Sequence, residues 1–246
     1  MQINQDSLLV RITDLLHSPV STLGAILGTA PSHHIVMENL LYGKSSCSKD
    51  QQKQWETFDL KPNDYFFPER DIAGGRLAPQ SVKDRLIDDF DDKIRVTIDQ
   101  KEELISQLSK DSKLLQEHNA VDYSLFLVRF PAELNSGKHK VPNPPGRGSA
   151  WRTGVISRDG KWIYRATVLD FFWSKTALQA HAFTGLVKLY NTLKLGKDHG
   201  PMSITTSSDE YRQRFLSMVE NMVEVPDSSG RPSGEIRTPQ SGAQEI

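Results

Sequence analysis

Cysteine is nearly missing from this chain: Cys47 is the only one in 246 residues. No intrachain disulfide and no cysteine-based zinc site can form, which suits a reducing compartment. Charge of one sign is missing too. The formal net charge is -1, so bulk attraction to nucleic acid is not expected, and any charged partner has to be met by a local patch. Long hydrophobic runs are absent. No stretch approaches the roughly 18 apolar residues that span a bilayer, so no transmembrane segment is expected. The start, M-Q-I-N-Q-D-S-L-L-V, has no basic region leading into a long apolar run and does not read as a secretory signal. Internal repeats are not apparent. Hydrophobic residues make up only 37%, so parts of the chain are expected to be open.

What is present is a series of short periodic segments. Leu8, Leu9, Ile12, Leu15 and Leu16 are spaced as in a helix over 5–16, with Asp6 or Ser7 as its cap. Residues 34–41 read as a buried strand and 55–60 as a second one, with 45–53 as a polar turn that makes a hairpin between them plausible. Residues 61–80 read as an irregular loop, and 83–94 as a charged segment with weak helical periodicity. The clearest helix is 98–117, with Leu104, Ile105, Leu108 and Leu115 on one face.

Residues 122–130 read as a half-buried strand. A proline-rich stretch over 131–152 reads as an exposed, flexible insertion. A hairpin follows, 153–157 with 161–170, turning at Arg158-Asp159-Gly160. Residues 207–223 predict an amphipathic helix opened by a Ser207/Glu210 capping box, with Tyr211, Phe215, Met218, Val219 and Met222 on one face. The tail 226–246 is rich in Pro, Gly, Ser and charge and predicts disorder, which leaves one domain over 1–225.

Three acids sit at strand ends: Asp59, Asp122 and Asp170. Singly, each is most simply a turn former. On one sheet, with Lys61, they make a set suited to phosphoryl transfer. One carboxylate orients or deprotonates a hydroxyl, another holds Mg2+, and a lysine neutralises developing charge. The run F-D-L-K-P-N-D imitates a protein-kinase catalytic loop, but no D-F-G follows Asp59 and no His-Arg precedes it. His33-His34 lacks a ligand partner at metal spacing, Cys47 reads as a surface thiol, and the basic residues at 138–140 and 147 read as solvated.

Five segments occur in a fixed order: V-M-E-N-L-L-Y-G (36–43), F-D-L-K (58–61), N-A-V-D-Y-S-L-F-L (119–127), V-L-D (168–170) and T-S-S-D-E-Y-R-Q-R-F (206–215). This order resembles the phosphatidylinositol phosphate kinases over residues 5–223. The form V-M-E-N-L-L-Y-G, with F-W-S-K after Asp170, resembles the phosphatidylinositol 3-phosphate 5-kinase (PIKfyve-type) branch. The resemblance implies an α+β fold, a mainly antiparallel sheet with flanking helices like the C-terminal lobe of that family, with the N-terminal lobe largely missing.

It also implies transfer of the ATP γ-phosphate to a phosphoinositide head-group hydroxyl, of the phosphatidylinositol-3-phosphate 5-kinase or phosphatidylinositol-4-phosphate 5-kinase type, with ATP and Mg2+ as cofactors and the lipid at a membrane surface. Asp122 would take the catalytic role, with Lys61 and Asp59 beside the phosphates. Asp170 would bind the metal, and Asn119 would assist in holding the nucleotide. The segment after Asp170 would read the lipid; it carries Lys175, Lys188, Lys194 and Lys197 among apolar residues. The expected location is cytoplasmic, peripheral to endosomal, vacuolar or other internal membranes.

The sequence departs from the family in two places. D-L-K-G-S is here D-L-K-P-N, where Pro62 removes an N–H and fixes φ. No glycine-rich phosphate loop or strand lysine precedes Leu8, so a missing N-terminal lobe or a partner protein is implied. The other reading is a truncated, non-catalytic relative that binds phosphoinositides or acts as a scaffold.

Overall fold

A 20-residue helix, Ile98–Glu117 (here α2), forms because Thr97 caps it reciprocally with Gln100 and its apolar residues recur on one side. That side, Leu104, Leu108 and Leu115, is buried against a second helix, Ser208–Met222 (α4), through Tyr211, Phe215 and Val219. Only half of the expected box opens α4: the Ser207 side chain accepts from Glu210 N. The computed structural model describes residues 4–17, 33–62, 86–87, 90–135, 140–146, 148–171 and 206–226.

Both helices cover one face of a five-stranded sheet. Its strands are β3 (Glu56–Leu60), β4 (Leu86–Ile87), β6 (Ser124–Pro131), β7 (Val155–Ile156) and β8 (Trp162–Leu169). The order is β4-β3-β6-β8-β7, antiparallel throughout except for the parallel β3–β4 pair. The expected hairpin β7–β8 is present, with Gly160 at φ 72° in its turn. The fold is the expected α+β arrangement of mainly antiparallel strands with flanking helices.

The half-buried reading of residues 122–130 is corrected. Leu125 and Leu127 enter the core under the helices, while Val128 and Phe130 enter a second core with Leu40, Trp55, Leu134, Val141 and Ile163. A strand covered on both faces is apolar at successive positions, which is why alternation described it badly. The stretch 131–152 is likewise no simple exposed linker. Leu134 and Val141 pack in the second core, and Trp151 and Arg152 are buried, in the short helix Ala150–Thr153 (α3). The residues 136–139 and 147 of that stretch lie outside the described part.

The helix expected over 5–16 is not formed. Leu8 and Val10 are buried in extended chain beside β8, where Val10 N donates to Val168 O (3.0 Å) and Val168 N to Leu8 O (2.7 Å). The open half of the β8 edge needs backbone partners, and this pairing supplies them. Beyond it, Ile12–His17 (β1) pairs antiparallel with His33–Met37 (β2). So β2 is exposed rather than buried, and it pairs with β1, not with β3, whose edges are taken by β4 and β6. Residues 45–53 hold more order than a turn. A 3-10 turn, Lys44–Ser46, precedes a capped helical turn, Lys49–Gln52 (α1).

In 83–94 no described residue is helical: Leu86–Ile87 is β4, residues 90–93 are irregular, and Ile94–Arg95 (β5) pairs in parallel with Val223–Glu224 (β9). Ile94 and Val96 are both 0% exposed around Arg95, a period of two that the surrounding charges hid. The loop expected over 61–80 lies outside the described residues beyond Pro62, as does the tail from residue 227. Among the described residues no helix is long and apolar enough to cross a membrane.

The N-terminal segment is tied to α2 by a buried carboxylate. Asp111 accepts from Leu8 N at 2.6 Å and from Gln107 Nε2 at 2.9 Å. Burial outweighs these bonds and raises its pKa above 3.8. For a carboxyl with a raised folded pKa, the contribution to stability is full below the unfolded value and is lost as pH rises through the folded value. Asp111→Asn retains an acceptor for Leu8 N without the buried charge. It is expected to flatten the fall in stability as pH rises above 3.8, measured as urea midpoints from acid to neutral pH. An unchanged slope overturns this assignment.

Candidate active site

The sheet itself collects the acids. Lys61 follows the last residue of β3, Asp122 precedes β6, and Asp170 follows β8. The register pairs Leu60 with Leu125 and Ser124 with Leu169, so these three strand ends lie side by side at one end of the sheet. There Lys61 Nζ stands 3.5 Å from Asp122 Oδ2 and 3.7 Å from Asp170 Oδ2. The Lys61 and Asp122 side chains are 15% and 18% exposed, while that of Asp170 is 60% exposed. The group therefore has a shielded inner part and an open outer carboxylate.

Asp59 stands two residues before Lys61 and so on the same face of β3, opposite Phe126 of β6. Its Oδ1 is buried with no hydrogen-bond partner. An acceptor left in that state costs about 1–3 kcal/mol. A fold retains such an atom most readily where a donor or a cation is to arrive.

The backbone marks the same places. Among the described residues, the non-glycine residues with positive φ are Asn119 (54°), Asp122 (68°) and Asp170 (61°). Such conformations cost on the order of 1–3 kcal/mol and collect at functional sites. Asn119 has a local reason. Its N–H donates to Gln116 O, and the Ala120 N–H donates to Leu115 O, both at 2.9 Å, the bonds of a left-handed helix end. The structure thus gives Asn119 the part of a helix cap, upstream of the acid–lysine group. No such end explains Asp122 or Asp170.

Two carboxylates converging on one ammonium create a place of negative potential. Mg2+ is commonly held by one or two carboxylates, with phosphates and water completing its octahedron. The pair Asp122 and Asp170 fits that mode. Among the described residues no group of three His, Cys, Asp or Glu side chains forms a complete protein cage for a metal. Lys175, Lys188, Lys194 and Lys197 lie outside the described residues.

Two structural arginines of the fold had no signal in the sequence. Arg165 of β8 is buried and donates to the carbonyls of Thr153 (3.1 Å), Leu40 (3.0 Å), Tyr42 (2.7 Å) and Pro142 (3.3 Å). Burial lowers its pKa to about 10. Arg152 does the same for the N-terminal segment, donating to Ser7 O (2.8 Å from Nε) and Leu9 O and pairing with Glu38. In the sequence both are ordinary arginines; only their carbonyl partners, distant in the chain, reveal them.

The family model for phosphatidylinositol-4-phosphate 5-kinase matches residues 1–145, more than half of the 246 residues. The chain belongs to this family. The matched span holds Asp59, Lys61, Asn119 and Asp122, while Asp170 and α4 lie beyond it. No match to a curated protein was found. The mixed α/β architecture agrees with a kinase lobe of the phosphatidylinositol phosphate kinase family, and the family is one of lipid kinases.

Proposed function

We propose that this phosphatidylinositol phosphate kinase family member transfers the γ-phosphate of Mg·ATP to a hydroxyl of a phosphoinositide head group. The observation that carries this reading is the sharing of Lys61 between Asp122 and Asp170 at the end of the sheet. Asp122 receives the proton of the inositol hydroxyl as its oxygen attacks the γ-phosphorus and ADP leaves. Lys61 offsets the charge that develops on the phosphoryl oxygens. Asp170, the most open of the group, is the ligand for Mg2+, which neutralises the phosphates when bound. Asp59, two residues before Lys61 on the same face of β3, supports the phosphate side of the site, and Asn119 sets the entry of the loop.

The segments V-M-E-N-L-L-Y-G and F-W-S-K support the phosphatidylinositol 3-phosphate 5-kinase type. The test is transfer of labelled phosphate from ATP to vesicles of phosphatidylinositol 3-phosphate, phosphatidylinositol 4-phosphate or phosphatidylinositol. Label on the 3-phosphate lipid is expected. Absence of label on every lipid overturns the kinase reading.

One observation favours a second reading, a non-catalytic phosphoinositide binder. Pro62, buried directly after Lys61, has no N–H to offer a phosphate. Vesicle binding that needs no Mg·ATP, together with absence of transfer, would select it.

Under either reading Lys175, Lys188, Lys194 and Lys197 are proposed to face the anionic membrane, at internal membranes reached from the cytoplasm. Each contributes about 1 kcal/mol near such a surface. Replacing all four by Gln is expected to weaken binding to anionic vesicles by two orders of magnitude or more, about tenfold per 1.4 kcal/mol, and to flatten its salt dependence. Unchanged cosedimentation would remove this segment from the interface.

A further inference from the structure

The loop that carries Asp122 is held at both ends by the first turn of α4. Upstream, Ser208 Oγ donates to Gln116 O (3.3 Å), and Asp209 Oδ1 accepts from Gln116 Nε2 (2.9 Å). Gln116 is one of the residues that close α2 into Asn119. Downstream, Tyr211 Oη donates to the carbonyl of Tyr123, the residue after Asp122, at 2.6 Å in a buried position. The Tyr211 ring meets that of Tyr123 edge-on at 4.8 Å, and Phe215 does so at 4.9 Å. Between the two anchors lie Ala120 and Val121, buried as well.

We infer that Tyr211 is a positioning residue whose hydroxyl, by fixing the Tyr123 carbonyl, holds Asp122 in the left-handed conformation that aims its carboxylate at Lys61. Returning Asp122 from φ 68° to the right-handed region would swing the following residue about the chain. The Tyr123 ring is locked in the core, and its carbonyl is locked by Tyr211. The helical end at Asn119 blocks compensation from the other side. A buried tyrosine hydroxyl seeks an acceptor in any fold. Here the acceptor adjoins the acid that carries the proposed chemistry, and the inference rests on that reading of Asp122.

Tyr211→Phe deletes one oxygen and keeps the ring packing. In the full chain it is expected to speed amide hydrogen exchange over residues 119–124 by about tenfold, since a buried hydrogen bond to the loop is lost. The interior of β8 should keep its protection. Exchange that stays unchanged at 119–124, or that rises equally across the sheet, overturns the inference whether or not the chain is a kinase. In the lipid-kinase assay, kcat is expected to fall roughly 10- to 100-fold from misplacement of the acid, with KM for ATP unchanged. The same substitution made in an Asp122→Asn background should have no further effect; a full additional loss there counts against action through Asp122. Ser208→Ala, which touches only the upstream anchor, should loosen 119–124 in the same direction and more weakly, and no loosening counts against the two-ended grip. A wild-type chain that phosphorylates no lipid sinks the proposed activity, and the exchange measurement then decides the positioning role by itself.

Discussion

Asp122→Asn is expected to lower the proposed phosphoryl transfer to a phosphoinositide by about 100- to 10,000-fold, the range for loss of a positioned general base, with the chain still folded. Several features make this substitution a clean one. Asparagine has nearly the volume of aspartate and tolerates the left-handed region, so the backbone at φ 68° is retained. Tyr123, Leu125 and Leu127 are core residues, and an exchange of nearly equal volume leaves their places open to them. What disappears is the charge 3.5 Å from Lys61 and the ability to take a proton from the attacking hydroxyl.

Lys61 still has Asp170 at 3.7 Å, so no cation is stranded. The measurement is labelled phosphate incorporated into phosphatidylinositol 3-phosphate vesicles, beside the thermal midpoint of both proteins. Equal turnover in wild type and variant would remove Asp122 from the chemistry. A midpoint that collapses would show that the pair with Lys61 holds the fold, not the reaction.

Trp151→Ala is expected to destabilise the domain by about 3–5 kcal/mol, the range for deleting a large buried aromatic. Trp151 is 0% exposed in the core beneath the helices. Its indole N–H donates to Gln100 O in the first turn of α2 at 3.1 Å, and its backbone N–H donates to Ser149 Oγ at 3.1 Å. Truncation opens a cavity between α2, α3 and the sheet and leaves the Gln100 carbonyl without that donor. Domains of this size hold only about 5–15 kcal/mol in total, so the loss removes a large share of the stability. Urea unfolding followed by circular dichroism checks it, and Trp151→Phe should fall between the two. A change below about 1 kcal/mol would fit a surface site, where substitutions are usually mild, and would restore the reading of 131–152 as an exposed insertion.

Trp151 also shows where sequence reasoning stops. Its neighbours are prolines, glycines and basic residues, a composition that describes exposed chain. Its burial is created by α2, which lies fifty residues earlier. Arg165 is a similar case. Nothing in W-I-Y-R-A-T-V-L marks that arginine as the centre of four carbonyl groups from three distant segments. The N-terminal error has a different origin. Leu8, Ile12 and Leu15 satisfy a helical period and Leu8 with Val10 a strand period. The choice was made by the unpaired edge of β8, which no local pattern can report.

Local chemistry alone determined the long helices and the hairpin. α2 and α4 carry their own caps and their own apolar stripes, and β7–β8 carries its own turn at Gly160, so each is specified within about twenty residues of chain. The identities of Asp59, Lys61, Asp122 and Asp170 were also legible, because each stands at or beside the end of an apolar strand and belongs to an ordered set of short motifs.

Their meeting was not legible. It depends on the register of β3 with β6 and of β6 with β8, which places three strand ends side by side and brings one ammonium within 4 Å of two carboxylates. Register is fixed by which faces the helices and the second core bury together. That is a property of the packed sheet, and no single segment contains it.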